Sequence, residues 1–228
     1  VKAEALAEKE AQQKQPAAPP AAPEVEKETP VAAAIAAGNG NLVYSQDFDD
    51  EEDGAKPRNW VGDYDYSSLS VSAQTPAPNS KRCLRFEKRQ GSGSAYYACR
   101  FPDITGKILV EFDLRCVDKN KYLLGFYIEK DEDFRQSIHT IVHRTSPQVA
   151  PTLRIQGEPT QYSLGTWRHM KYEIDLGANS VTGYVDGDVV AENVKLASPP
   201  KSINTLSIRD NLATTGVLLI DNIRIHKL

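Results

Sequence analysis

Thr166–Glu192, TWRHMKYEIDLGANSVTGYVDGDVVAE, is the stretch whose reading decides the fold. From Trp167 to Leu176 the side chains alternate. Met170, Tyr172 and Ile174 face one way while His169, Lys171 and Glu173 face the other, the period of a half-buried strand and not of a helix. Gly177-Ala178-Asn179-Ser180 then supplies a turn. Asp186-Gly187, set between Val185 and Val189, is the dipeptide that best tolerates the positive φ angles of a type I′ hairpin. The stretch predicts two consecutive hairpins of one antiparallel sheet.

The same texture runs through the chain from Leu42 onward, where short alternating segments are separated by turn clusters and helical periodicity is absent. Strands are predicted over Leu42–Phe48, Ser68–Ala73, Lys81–Lys88, Ala95–Phe101, Lys107–Cys116, Tyr122–Glu129, Ser137–Arg144 and Thr152–Gln156. After Trp167–Leu176 they continue with Val181–Val185, Val189–Val194, Ile203–Arg209 and Val217–Lys227. About a dozen strands without crossover helices point to an all-β chain, a two-sheet antiparallel jelly-roll sandwich. Residues 1–41 differ sharply: after VKAEALAEKEAQQKQ comes an Ala/Pro-rich, low-complexity run with little to bury. That segment reads as a disordered linker or stalk, or equally as a flexible chain end, leaving 42–228 as the jelly-roll domain.

Bulk properties narrow the partners. The chain has 228 residues, enough for one sandwich with a proper core, and a formal charge of −4 with a pI near 5.6. With the acidic run Asp47–Asp53 this gives no attraction for nucleic acid. No run reaches the roughly 18 apolar residues of a membrane-spanning helix. The chain opens on Val1 with neither an initiator Met nor a signal-peptide pattern, which reads as a mature product or an excised piece.

Strand parity defines a candidate surface. Ile108, Val110, Phe112 and Leu114 leave Glu111, Asp113 and Arg115 on the other face of their strand, and Leu124, Phe126 and Ile128 leave Tyr127 and Glu129. By the same rule His139 and His143 turn outward, as do Arg154 and Gln156. If these strands are sheet neighbours, they make one continuous polar face with an aromatic ring. Such a face suits sugars, whose hydroxyls need donors and acceptors and whose C–H faces stack on rings. An ordinary solvated sheet face is the alternative. His139 and His143 lack a third metal ligand of matching spacing, and His169 and His226 read as isolated. Trp60, with Tyr64 and Tyr66, reads either as a plug for one end of the core or as a sugar-stacking cluster, and Trp167 reads as structural.

The Trp-led strand, its short turn and the YVDG hairpin, together with YSQDFDD at the start and GVLLIDNIRIHKL at the end, resemble the concanavalin A-like lectin/glucanase superfamily. That superfamily includes laminin G-like domains and glycoside hydrolase family 16-like jelly rolls. The resemblance implies first and last strands that lie near one another and a polysaccharide or glycan ligand. It further implies a structural calcium held by Asp221, together with opening-strand carbonyls. Asp47 and Asp49 would be extra donors, because calcium prefers six to eight oxygens. A turn cap or an Arg partner is the other reading of Asp221.

The catalytic patterns of the superfamily fit poorly. Glu129-Lys130-Asp131-Glu132-Asp133-Phe134 is the nearest approach to the hydrolase motif E-x-D-x-x-E, with Phe134 in place of the second Glu, and reads as a charged hairpin loop. Gln136-Ser137-Ile138-His139 is one residue too long for the Q-[IV]-H motif of the polysaccharide lyases. The expectation is a non-catalytic glycan-binding or adhesive module of an exported bacterial protein, periplasmic or extracellular, with the ligand around Tyr127, His139, His143, Arg154 and Gln156. A protein-interaction domain of laminin G type and an enzyme with an unrecognised motif are the alternatives. Finally, a symmetric hairpin about Gly91 would set Cys83 opposite Cys99, which makes a disulfide feasible beside the reading of free, packed thiols.

Overall fold

The computed structural model describes residues 40–62, 66–89, 95–117, 122–131, 137–144, 152–196, 198–210 and 215–228. The low-complexity run therefore lies, up to residue 39, outside the described residues, as do Tyr64 and Gln136.

Among the described residues the strands are β1 (Asn41–Gln46), β2 (Trp60–Val61), β3 (Ser67–Ser72), β4 (Cys83–Lys88), β5 (Tyr96–Ile104), β6 (Lys107–Cys116), β7 (Tyr122–Glu129) and β8 (Ile138–Arg144). They continue as β9 (Thr152–Ile155), β10 (Glu158–Gln161), β11 (Arg168–Asp175), β12 (Ser180–Val185), β13 (Asp188–Lys195), β14 (Ile203–Asp210) and β15 (Gly216–Lys227). Sheet A runs β13-β12-β11-β6-β15-β4-β3, with β1 also paired to β15, and sheet B runs β10-β9-β8-β7-β14-β5-β2. Every strand pairing among the described residues is antiparallel, so the chain is a two-sheet antiparallel sandwich. The two consecutive hairpins are β11–β12 and β12–β13, and the first and last strands pair directly, Ser45 opposite Arg224. Asp186 and Gly187 take φ of 53° and 93°, the left-handed pair that a type I′ turn demands.

Alternation decides what lies between the sheets. Phe112 and Tyr172 of sheet A stack with ring centroids 6.0 Å apart, and Phe112 meets Phe126 of sheet B at 4.3 Å. The Tyr172 hydroxyl, fully buried, bonds to the Thr140 hydroxyl of β8, which satisfies a polar atom inside the core. Trp60 is 3 % exposed and plugs the core end, its indole N–H donating to Gln46 Oε1 at 3.0 Å. Trp167 is structural too, but on the outer side of sheet A. There it covers Cys83 and Leu219 beside Ala77, and its indole N–H donates to the Thr75 carbonyl at 3.3 Å.

Two expectations are corrected by the way strands are dealt between the sheets. β4 lies in sheet A between β15 and β3, whereas β5 lies in sheet B between β14 and β2, so they form no hairpin pair. Cys83, Cys99 and Cys116 are free buried thiols. The Cys83 sulfur faces the Ser72 carbonyl and that of Cys99 faces the Tyr44 hydroxyl. β6 likewise belongs to sheet A, while β7, β8 and β9 are neighbours in sheet B. Glu111, Asp113 and Arg115 therefore stand on the opposite side of the molecule from Tyr127 and His139. Alternation says which side chains share a face of one strand, but not which sheet that strand joins.

One ion pair crosses the core. Lys88 Nζ at the end of β4 lies 2.7 Å from Asp210 Oδ2 at the end of β14, with both side chains 0 % exposed, and Lys88 also sits 4.1 Å from the centre of the Tyr66 ring. Desolvating two charges is costly, so removing one partner leaves the other as a buried, uncompensated charge, at about 3–5 kcal/mol. Lys88→Met is expected to lower the melting temperature by about 6–20 °C. The double variant Lys88→Met/Asp210→Leu should recover most of that loss, and denaturant titration of the three proteins measures both effects.

Candidate functional site

The outer face of sheet B is built by β5, β14, β7, β8 and β9. In β14, Leu206 and Ile208 enter the core, so Thr205, Ser207 and Arg209 point the other way. Register then lines up three rows across the strands. One row is Tyr96, Arg209, Gly125, Ile141 and Arg154; the next is Val61, Ala98, Ser207, Tyr127 and His139; the third is Arg100, Thr205 and Glu129.

Glu129 organises the centre. It is 0 % exposed although it points away from the core, and a carboxylate so buried needs both hydrogen bonds and a countercharge. It accepts from Ser207 Oγ at 2.8 Å, from Tyr96 Oη at 3.2 Å and, through its two oxygens, from Arg209 Nη2 at 2.9 and 3.1 Å. The Arg209 guanidinium lies 4.0 Å from the centre of the Tyr96 ring and 5.8 Å from that of Tyr127, and the Tyr127 and His139 rings are 5.7 Å apart. Four flat groups thus follow one another across β5, β14, β7 and β8, a strip of about 14 Å at the usual strand spacing. Burial raises the pKa of the Tyr127 phenol, an effect that nearby Glu129 reinforces and Arg209 opposes. Burial also lowers that of His139. Both are neutral at neutral pH. Beside the strip lies a groove of about 370 Å³ lined by Asn59, Val61, Ala98 and Arg100.

Of the expected residues, Tyr127 and His139 come together. Arg154 stands exposed two strands from Tyr127, across from Ile141. His143 pairs in register with Leu123 and Thr152, and its side chain lies outside the described residues. Gln156 does not join the face: it occupies the turn after β9 with φ of 48°, where its Oε1 accepts from the His139 N–H at 3.2 Å and its Nε2 donates to the Ser137 carbonyl at 3.4 Å. Tyr96, Ser207 and Arg209 are the members that sequence reasoning missed. The alternation of β14 was legible, but its place between β5 and β7 is a long-range pairing that local pattern does not encode.

A buried carboxylate also marks the other expected site. Asp221 is 0 % exposed and accepts from the backbone N–H groups of Asn222 at 2.8 Å and Ala77 at 3.2 Å, and burial pushes its pKa up to about 7. Asp49 Oδ1 is taken up by Ser80 Oγ and the N–H groups of Lys81 and Arg82, at 3.0, 2.7 and 3.0 Å, and Asp47 Oδ1 accepts from the Asp49 N–H at 3.2 Å. Among the described residues no three His, Cys, Asp or Glu side chains are grouped to hold a metal ion.

No family model and no curated protein matches the chain. Solved structures do. A sialidase superposes over 83 % of this chain with a TM-score of 0.63 at 14 % identity. A GH131 β-glucanase catalytic domain from Podospora anserina covers 83 % with 0.56 at 15 %, and a protein of unknown function with a galectin-like fold from Bacillus subtilis covers 82 % with 0.55 at 12 %. The fold is a concanavalin A-like jelly roll. The chain spans 19 % of the sialidase's length but 97 % of the β-glucanase domain and 96 % of the galectin-like protein. At such identities the likeness is one of fold. Among the described residues no helix is long and apolar enough to cross a membrane.

The opposite face carries a cluster around His169, which reads as isolated in the sequence. On sheet A, His169 Nδ1 lies 2.9 Å from Asp113 Oδ1 and its Nε2 lies 3.7 Å from Glu111 Oε1, while Asn222 Nδ2 donates to Asp113 Oδ2 at 2.8 Å. The hydrogen bond to Asp113, then that to Glu111, raise the His169 pKa to about 9. A folded-state pKa above the unfolded value means that the cluster's stabilisation is complete below about pH 6.5 and is lost as pH rises through about 9. The stability difference between wild type and His169→Gln is expected to shrink across that window. Denaturation at stepped pH reads it, and the imidazole resonances should titrate with a midpoint near 9.

Proposed function

We propose that the outer face of sheet B binds a glycan and does not cleave it. The observation that carries this reading is the strip of Tyr96, Arg209, Tyr127 and His139, whose rings and guanidinium offer stacking surface while the neutral phenol and imidazole offer donors and acceptors to hydroxyls. Glu129 and Arg209 argue against chemistry here. A hydrolase needs a carboxylate that is available to the substrate, and Glu129 is already held by Ser207, Tyr96 and Arg209. A lyase needs a cation for the sugar's carboxylate and a base, yet Arg209 is neutralised by Glu129 and the Tyr127 phenol holds its proton at neutral pH. The sialidase and β-glucanase named above are glycan-active by name, which supports the ligand class. In this reading the domain is a module of an exported bacterial protein, and residues 1–41 are its stalk.

Replacing Tyr127 and Arg154 together by Ala should weaken polysaccharide binding at least about tenfold, the worth of one stacked ring and an exposed cation, with little change in melting temperature. A glycan array followed by titration tests it, with a reducing-end assay in parallel. Wild-type affinity in the double variant, or released reducing ends, counts against the proposal.

Asp221 supports a second part of the proposal, a structural calcium at the junction of β15 and the loop carrying Ala77. A buried carboxylate held by the N–H groups of Ala77 and Asn222 is a suitable hard donor, with backbone oxygens and water completing the shell. Asp47 and Asp49 would join only by giving up the bonds described above. The ion would supply charge compensation and a cross-link, not catalysis. Calcium at about a hundred times its Kd should raise the melting temperature by about 5–10 °C. Asp221→Asn should abolish that rise, and in chelated protein near neutral pH it should cost no stability, because charging Asp221 in the fold is itself unfavourable.

A further inference from the structure

Gly125 faces outward on β7, between Arg209 of β14 and Ile141 of β8 in register. A Cβ added there would lie 2.3 Å from Tyr127 Cε2, 2.7 Å from its Cζ and 2.7 Å from its hydroxyl oxygen. The Tyr127 ring is therefore folded back along its own strand, with its phenol end resting on the bare backbone of Gly125, instead of standing off the sheet. The three atoms that an alanine Cβ would meet first all belong to this ring, and Gly125 carries none of the positive φ angles that demand glycine in turns. The requirement for glycine at 125 is thus a requirement on where Tyr127 lies.

We propose that Gly125 is a positioning residue that lays Tyr127 down as a stacking floor, and that the ligand class fitting this floor is an extended β-linked glycan of equatorially substituted sugars. The inference rests on the glycan-binding reading of the same face and deepens it. A ring lying along the sheet, in line with Arg209 over Tyr96, makes a low platform that must be met broadside. Pyranoses with equatorial hydroxyls and equatorial linkages present axial C–H groups to such a surface and keep the next sugar in the same plane. An axial linkage turns the next sugar out of that plane and off the strip.

The experiment compares wild type with Gly125→Ala and Tyr127→Leu. The probes are cellohexaose and xylohexaose as β-linked chains, and maltohexaose as an α-linked chain of the same sugar as the first. Expected are binding of at least one β-linked hexaose, weakened about tenfold by Gly125→Ala and at least as much by Tyr127→Leu, with the melting temperature of Gly125→Ala changed by less than about 2 °C. Maltohexaose should bind at least about tenfold more weakly than the β-linked chain. Equal affinity for Gly125→Ala and wild type overturns the positioning role, and equal affinity for maltohexaose overturns the ligand class, in both cases leaving glycan binding itself intact. If no polysaccharide binds wild type at all, the glycan reading and the ligand class fall together. Ring position has a readout that needs no ligand: the Gly125 Hα resonances should be shifted upfield by the overlying ring in wild type and return to ordinary values in Tyr127→Leu. Unshifted Gly125 protons in wild type overturn the geometry on which the inference stands.

Discussion

Two oppositely directed ion pairs on adjacent residues of β14 hold the arrangement together. Asp210 turns inward to Lys88 at 2.7 Å and ties sheet B to β4 of sheet A, while Arg209 turns outward to Glu129 at 2.9 Å and ties β14 to β7. Asp210 also accepts from the Ala95 N–H, and its own N–H donates to the Ala95 carbonyl, so the entry of β5 is fixed by the same residue. Buried pairs of this kind add little net stability but penalise any arrangement that separates the partners. A slip of β14 by one residue would exchange Arg209 and Asp210 between core and surface and leave four charges without partners. The strand's register, and with it the position of Arg209 over Tyr96, is therefore set by electrostatics as much as by the apolar alternation of Leu206 and Ile208.

The two outer faces solve the problem of polar residues differently. On sheet A the charges compensate one another around β11, with Lys171 against Glu173 on the same strand, Arg168 against Asp186 of the β12–β13 turn, and His169 against Asp113 and Glu111 of β6. Such a ladder is at home in water and offers a ligand little that is unspent. On sheet B the charge at the centre is drawn inward around Glu129, leaving flat, neutral Tyr127 and His139 beside the groove at Val61 and Ala98, with Arg154 an exposed cation on β9. Shape and hydrogen bonding, rather than net charge, are what that face presents. This agrees with a chain whose overall charge of −4 favours no polyanionic partner.

Local pattern carried most of the architecture. Alternation from Trp167 to Leu176, the Asp186-Gly187 turn and the absence of helical periodicity specified an antiparallel all-β sandwich, because side-chain period and turn conformation are properties of neighbouring residues. It also told correctly which side of its own strand each of Tyr127 and His139 occupies. Tertiary structure alone decided which strands stand side by side: that β6 joins sheet A and removes Glu111 and Asp113 from the candidate face, that β4 and β5 part company and leave Cys83 and Cys99 unbonded, and that β14 brings Arg209 and Ser207 to Glu129. The physical reason is range. A strand's period is written in consecutive residues, but its partner is chosen by burial and charge pairing summed over segments about eighty residues apart, such as Glu129 and Arg209, and no local rule carries that sum.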